Sequence, residues 1–207
     1  GFDGGLYYDD PPPAPLAAGN RQGLVIFIGT FSKVLFPGLR LGWIVAPRPL
    51  LERLEAAKQL SDIHTSPLIQ AAIFHVCQGR FLDRHLARLR EEYGRRRRLL
   101  LSALERHLPR SVRWTIPHGG FTLFCWLPEG MDAGALLQRA LERGVAFTPG
   151  SVFYADGEGA HSLRLSFSSV SVSRVEEGVR RLGEVIREAL RRPSRSVEVD
   201  RAAVPLV

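Results

Sequence analysis

Lysine is nearly missing from this chain: of its 28 basic residues only Lys33 and Lys58 are lysine, and the rest are arginine. Surface charge is met by guanidinium throughout, so a lysine inside Gly29-Thr30-Phe31-Ser32-Lys33-Val34-Leu35-Phe36-Pro37-Gly38-Leu39-Arg40 points to amine chemistry. Forming an imine with a carbonyl is chemistry that a primary amine performs and a guanidinium does not. Cysteine is as scarce. Cys77 and Cys125 stand far apart among apolar neighbours, which argues against a disulfide or a metal clip and predicts two reduced, buried thiols in a cytoplasmic protein. The six histidines never fall at a ligand spacing with cysteines or carboxylates, so no metal is expected. No stretch approaches the roughly 18 consecutive apolar residues of a membrane span, and the opening residues do not read as a secretory leader.

What is present is a chain of 207 residues, 45% hydrophobic, enough for one generous domain or two small ones. A formal net charge of +7 invites a nucleic-acid reading. Much of that charge lies on one helical stretch that includes Arg95-Arg96-Arg97-Arg98, with Glu91 and Glu92 interspersed and no aromatic stripe beside it. A solvated helix face accounts for it better than a binding patch. Gly1-Phe2-Asp3-Gly4 reads as the middle of a turn, as expected of a piece of a longer protein.

Along the chain, Asp9 to Asn20 is a proline-rich surface loop. Leu24-Val25-Ile26-Phe27-Ile28 is a continuous apolar run, as in a strand covered on both faces of a parallel sheet. Pro37-Gly38 turns the chain into a second strand, Leu41 to Val45. A helix follows from Arg48 to Leu60, with Leu50, Leu51, Leu54 and Ala57 on one face. Ser66 caps the next, with Pro67 at its first position, to about Gln78. The longest helix runs from Phe81 to Leu108, its apolar stripe made by Leu82, Leu86, Leu89, Tyr93, Leu100 and Leu104. Strands are expected at Val112–Thr115, Phe121–Leu127, Val145–Gly150 and Leu163–Phe167, with a helix from Ala133 to Arg143. A last helix, Arg174 to Arg191, buries Val175, Val179, Leu182 and Ile186, with Ser173 and Glu176 at capping-box spacing. The class is α/β. The end of a large α/β domain covers residues 1–80, an interdomain helix 81–108, a small α+β domain 109–192 and a flexible tail 193–207.

A phosphorylated aldehyde cofactor needs an amine for its aldehyde and a donor-lined socket for its phosphate. Lys33 supplies the amine, and Thr30 and Ser32 supply hydroxyls and amides in the same turn. Arg40, on the strand returning past the turn, offers a bidentate guanidinium, and Gly38 and Gly42 let the backbones close up. Arg164 lies between apolar residues on a strand, a place where a guanidinium needs an anion.

The stretch Thr30-Phe31-Ser32-Lys33 through Pro37-Gly38-Leu39-Arg40-Leu41-Gly42 resembles the lysine motif of fold-type I pyridoxal-phosphate aminotransferases of class I/II. The resemblance extends through Gly119-Gly120-Phe121, Val145-Ala146-Phe147-Thr148-Pro149-Gly150 and Leu163-Arg164-Leu165-Ser166-Phe167-Ser168, and covers the chain to about Leu190. It is nearest the 2-aminoadipate and kynurenine type and the aminotransferase-like domain of MocR-type GntR regulators. The resemblance implies the carboxyl-terminal part of such a fold, with pyridoxal 5′-phosphate as cofactor. It implies that Lys33 forms the imine and shuttles the proton, that Thr30, Ser32 and Arg40 hold the phosphate, and that Arg164 pairs with the substrate carboxylate. Burial of Lys33 beside Arg40 is expected. Amino acids and 2-oxo acids are the implied substrates and a homodimer the implied assembly, with DNA as a partner only if a winged-helix domain lies upstream. Two departures stand out. The aspartate that such proteins place under the pyridinium nitrogen falls before Gly1, and Phe2 occupies the position of a tyrosine that contacts the phenolic oxygen. Ser66 is read as a helix cap ahead of a phosphate contact to a partner subunit, and neither Tyr7 nor Tyr8 is assigned a role.

Overall fold

The computed structural model describes residues 5–191. The expectations for Phe2 and for the tail at 193–207 lie outside the described residues. The chain divides into two compact units, one of residues up to Arg95 with Pro117–Phe121, the other of Arg96–Ile116 with the residues from Thr122 onward.

In the first unit the expected apolar strand starts late. The Asn20 side chain accepts from the Leu24 amide (2.8 Å) and donates to the Val25 carbonyl (3.1 Å), which holds that backbone in a local turn. Strand β1 is therefore Phe27–Thr30, and it pairs with β2, Gly42–Val45, in register from Phe27↔Val45 to Thr30↔Gly42. The pairing is antiparallel, as expected of a strand that returns past the Pro37-Gly38 turn. The link from Thr30 to Gly42 is too short for a parallel crossover, which takes a dozen residues or more. Both strands come close: a Cβ on Gly42 would lie 2.7 Å from the Gly29 carbonyl oxygen, and one on Gly29 would lie 2.2 Å from the Trp43 ring.

Helix α1, Arg48–Asp62, runs two residues beyond the expected end, but none of its residues is buried, so the stripe of Leu50, Leu51, Leu54 and Ala57 is left without full cover. Helix α2, Pro67–Gln78, is capped by Ser66, whose hydroxyl accepts from the Ile69 amide. Cys77 on this helix is exposed, contrary to the expectation of a buried thiol, because α2 buries only Ile73. Helix α3, Phe81–His107, follows, and its amino-terminal half pins the start of the described chain. His85 Nε2 donates to the Val34 carbonyl (2.9 Å), and Arg90 donates to the Gly5 carbonyl (2.9 Å) with its guanidinium 4.1 Å over the Tyr7 ring.

The arginine run is not one solvated face. Arg95 pairs with Glu92 at 2.8 Å and Arg98 is exposed, whereas Arg97 is buried. Arg96 donates to the carbonyls of Phe167, Ser168 and Val170, which fastens the loop after a strand of its own unit.

The second unit is a four-stranded antiparallel sheet in the order β3-β4-β6-β5: β3 Arg113–Trp114, β4 Thr122–Trp126, β5 Thr148–Pro149 and β6 Ser162–Ser166. Leu123, Cys125, Leu163 and Leu165 bury one face of it. Burial pushes the Cys125 thiol up from 9.0 to about 12. The strand expected over Val145–Gly150 is reduced to two residues. Gly144 turns with φ +70°, the Val145 amide still bonds the Ala140 carbonyl (2.9 Å), and Pro149 brings no N–H to a ladder. Helix α4, Ala133–Glu142, is capped by Asp132, which accepts from the Ala135 amide at 2.7 Å.

Helix α5, Val172–Arg191, buries Val175, Val179, Leu182 and Ile186 as its period predicts. The capping box does not form. The helix begins at Val172, which puts Ser173 inside it, and the Glu176 carboxylate is taken by Arg106 and His107. On its outer face Arg180, then Arg181, hydrogen-bond Glu177 and hold its carboxyl down at about 2. Among the described residues no helix is long and apolar enough to cross a membrane.

Candidate functional site

Four of the five sequence-predicted residues fall on the β1–β2 connection of the first unit. Thr30 ends β1. Its hydroxyl lies 3.0 Å from the Ser32 hydroxyl and 3.3 Å from the Leu41 carbonyl, and it accepts the Ser32 amide at 3.1 Å. This closes an ST-turn in which two hydroxyls sit side by side just before Lys33. Phe31 bonds across to the Leu41 carbonyl (3.2 Å) and Leu35 back to the Phe31 carbonyl (2.8 Å), so the turn is a tight loop on the strand end.

Lys33 is exposed, not buried beside Arg40 as expected. Among the described residues its amine makes no hydrogen bond and no ion pair, and its contact is with the Phe121 ring, 5.6 Å from Nζ to the centroid. Phe121 in turn packs at a tilt against the Tyr93 ring, 5.9 Å between centroids. It ends the Pro117–Phe121 segment, which is strapped to the start of the described chain. Gly120 donates to the Leu6 carbonyl, Tyr8 to the His118 carbonyl, and the Tyr8 hydroxyl to the Gly120 carbonyl. Both tyrosines left unassigned by the sequence are thereby engaged, Tyr8 here and Tyr7 under Arg90.

Arg40 differs from expectation in its backbone. It lies before the strand, at the end of a short 3-10 turn, Pro37–Leu39, in the left-handed region (φ 49°, ψ 37°). Its guanidinium is exposed and, among the described residues, donates only to the Pro37 carbonyl, at 3.1 Å. Gly38 makes no close approach, since a Cβ there would meet only the Phe36 ring at 3.7 Å.

Arg164 belongs to the second unit and is described there. It sits half-buried in β6 with its guanidinium carbon 4.6 Å over the Phe153 ring. Among the described residues its side chain makes no hydrogen bond and no ion pair. Phe153 carries no signal of its own in the sequence, where it is one of eleven phenylalanines, and Phe121 stands out only as the end of Gly119-Gly120-Phe121. The hairpin chemistry fits a phosphorylated aldehyde: an uncommitted amine, a hydroxyl pair and a mostly free guanidinium share one turn.

Comparison with known proteins places the chain. The family model described as aminotransferase class I and II matches residues 4–182. Aromatic-amino-acid aminotransferase 1 of Thermococcus litoralis is 39% identical over 189 residues, 91% of this chain and 45% of that protein. The HTH-type transcriptional regulator YdfD of Bacillus subtilis is 36% identical over 183 residues, 88% of this chain and 38% of that protein. Among solved structures, the α-aminoadipate aminotransferase LysN of Thermus thermophilus, complexed with N-(5′-phosphopyridoxyl)-L-leucine, superposes with a TM-score of 0.86. It is 39% identical, and the match covers 92% of this chain and 50% of that one. The chain spans about half the length of the relatives it matches.

Proposed function

The chain belongs to the aminotransferase class I and II family, and on that premise we propose that its protein is a pyridoxal 5′-phosphate-dependent aminotransferase moving an amino group between an amino acid and a 2-oxo acid. The observation that carries the proposal is the uncommitted Lys33 amine on the turn that also holds the Thr30–Ser32 hydroxyl pair. The phosphopyridoxyl ligand of the Thermus thermophilus relative supports the choice of cofactor.

When bound, the cofactor supplies an aldehyde that condenses with amines and a ring that draws electron density from the carbon beside the nitrogen. The protein's share is positional and protic. Thr30 and Ser32 would turn their paired hydroxyls to the phosphate, and Arg40 would add charge and guanidinium donors. Lys33, as a free amine, takes the proton from the substrate α-carbon and holds it as an ammonium. The face of Phe121 is a favourable seat for that ammonium, within the roughly 6 Å reach of a cation–π contact. Arg164 receives the substrate carboxylate. A homodimer is the proposed assembly, in keeping with the family.

The Bacillus subtilis relative favours one second reading, in which the same fold senses an amino acid for a DNA-binding domain. Turnover separates the two: an aminotransferase converts L-phenylalanine or L-2-aminoadipate with a 2-oxo acid, and a sensor binds them without conversion. Borohydride reduction of the cofactor-loaded protein, followed by peptide mapping, tests the central assignment. The label is expected on Lys33. Lys33→Arg is expected to lose label and turnover as fully as Lys33→Ala, because guanidinium is a poor nucleophile. A label on Lys58, or none, overturns the assignment.

A further inference from the structure

We propose that Phe153 positions Arg164, serving as an aromatic shelf that fixes the plane of the guanidinium before a carboxylate arrives. The proposal rests on the reading of Arg164 as the carboxylate-binding arginine, and all of its residues belong to the second unit.

The shelf is built from the sheet upward. Phe124 and Thr148 both pair with Arg164, from β4 and β5, so the three form one rung across the sheet. Directly paired residues of antiparallel strands project to the same face. Leu163 and Leu165, the neighbours of Arg164 in β6, are buried on the opposite face, which leaves this rung on the side away from the core. After β5 the chain enters a 3-10 turn, Gly150–Phe153, that folds against β6. Only glycine fits at the first position: a Cβ on Gly150 would lie 1.8 Å from Ser162 Oγ and 2.9 Å from the Ser162 carbonyl carbon. That close approach delivers Phe153 to Arg164, 4.6 Å from guanidinium carbon to ring centroid. Phe124 meets the same ring edge-on, 5.4 Å between centroids at 71°, and so braces it from the side.

The choice of an aromatic ring has a chemical reason. A carboxylate neighbour would fix Arg164 but occupy the donors that the substrate needs. A ring face attracts the cation through its quadrupole and leaves all five N–H donors in the guanidinium plane available. Restricting that plane in advance also reduces the freedom lost on binding. Leucine at 153 would fill the space without the quadrupole.

The experiment uses the full-length, cofactor-loaded protein with L-phenylalanine, L-2-aminoadipate and L-kynurenine as amino donors. Phe153→Leu is expected to raise KM by about fivefold while kcat stays within about twofold, and Phe153→Tyr is expected to bring KM back to within about twofold. In an Arg164→Ala background, Phe153→Leu is expected to add nothing further. For a donor that binds without turnover, the same comparisons are made on its Kd. If Phe153→Leu raises KM equally without Arg164, or lowers only thermal stability, the ring is structural and the proposal fails. If Arg164→Ala leaves KM unchanged for all three donors, or none binds saturably, the carboxylate reading itself fails and takes the shelf with it. Phe153→Met stands in if the leucine variant does not fold.

Discussion

Cys77 and Cys125 carry the same thiol into opposite surroundings. Cys77 faces solvent on α2, whereas Cys125 lies in the buried face of β4, where desolvation pushes its thiol up to about 12. Only the thiolate is nucleophilic, so at pH 8 Cys125 presents about one reactive form in 10⁴ even before access is considered. The folded 207-residue chain is therefore expected to titrate one thiol rapidly with Ellman's reagent and two in guanidinium chloride. Cys77→Ser should abolish the native signal, and a fast second thiol in the native state would contradict the burial of β4. Apolar neighbours in sequence could not separate these two cysteines. They mark a core position on a strand whose partners are known, but on a helix with one buried residue they mark nothing. The same limit applies to arginine. The rarity of lysine made Lys33 legible, and Arg164 stood out between leucines. No spacing rule could reveal that Arg96 reaches three carbonyls 71 to 74 residues away, because that contact is made by tertiary packing.

Helix α5 was the most legible element because its apolar period is uninterrupted over five turns, and Val175, Val179, Leu182 and Ile186 are buried as expected. Its two glycines, five residues apart, look alike in sequence and differ in space. A Cβ on Gly178 would meet nothing within 4 Å, whereas one on Gly183 would lie 2.2 Å from the His107 carbonyl oxygen. That carbonyl is held in place by Arg187, which donates to it at 2.7 Å. Gly178→Ala is expected to stabilise the protein by roughly 0.5–1 kcal/mol through helix propensity. Gly183→Ala is expected to destabilise it by about 1–3 kcal/mol, the range for overpacking. Urea unfolding of the two variants checks the contrast in sign, and equal shifts would refute the α3–α5 approach inside the second unit. Strand ends were less legible than helix faces. The Val145–Gly150 run has strand composition, but a helix-end turn claims its first residue and proline ends its ladder.

The two units differ in how completely they bury their own apolar residues. In the second, Ala103, Leu104, Leu123, Leu163, Leu182 and Ile186 are each exposed by 2% or less. In the first, Leu24 is 78% exposed, and Ile26 just before β1, Ile28 on it and Trp43, Ile44 and Val45 on β2 are 41–55% exposed. A two-stranded ladder alone is marginal in water, and an uncovered apolar strand pair is a ready surface for association. The match to about half the length of its relatives fits a first unit that shares its core with further chain. A chain of residues 96–191 is therefore expected to fold as a monomer with a cooperative thermal transition. The 207-residue chain by itself is expected to self-associate through the β1–β2 faces. Light scattering coupled to gel filtration, with circular dichroism melts, measures both. Ile28→Lys and Ile44→Lys should reduce the self-association without shifting the melt of the 96–191 chain, which contains neither residue. A monodisperse monomer of the 207-residue chain would mean that these exposed strands need no cover, and an unfolded 96–191 chain would mean that the buried core of the second unit is not self-sufficient.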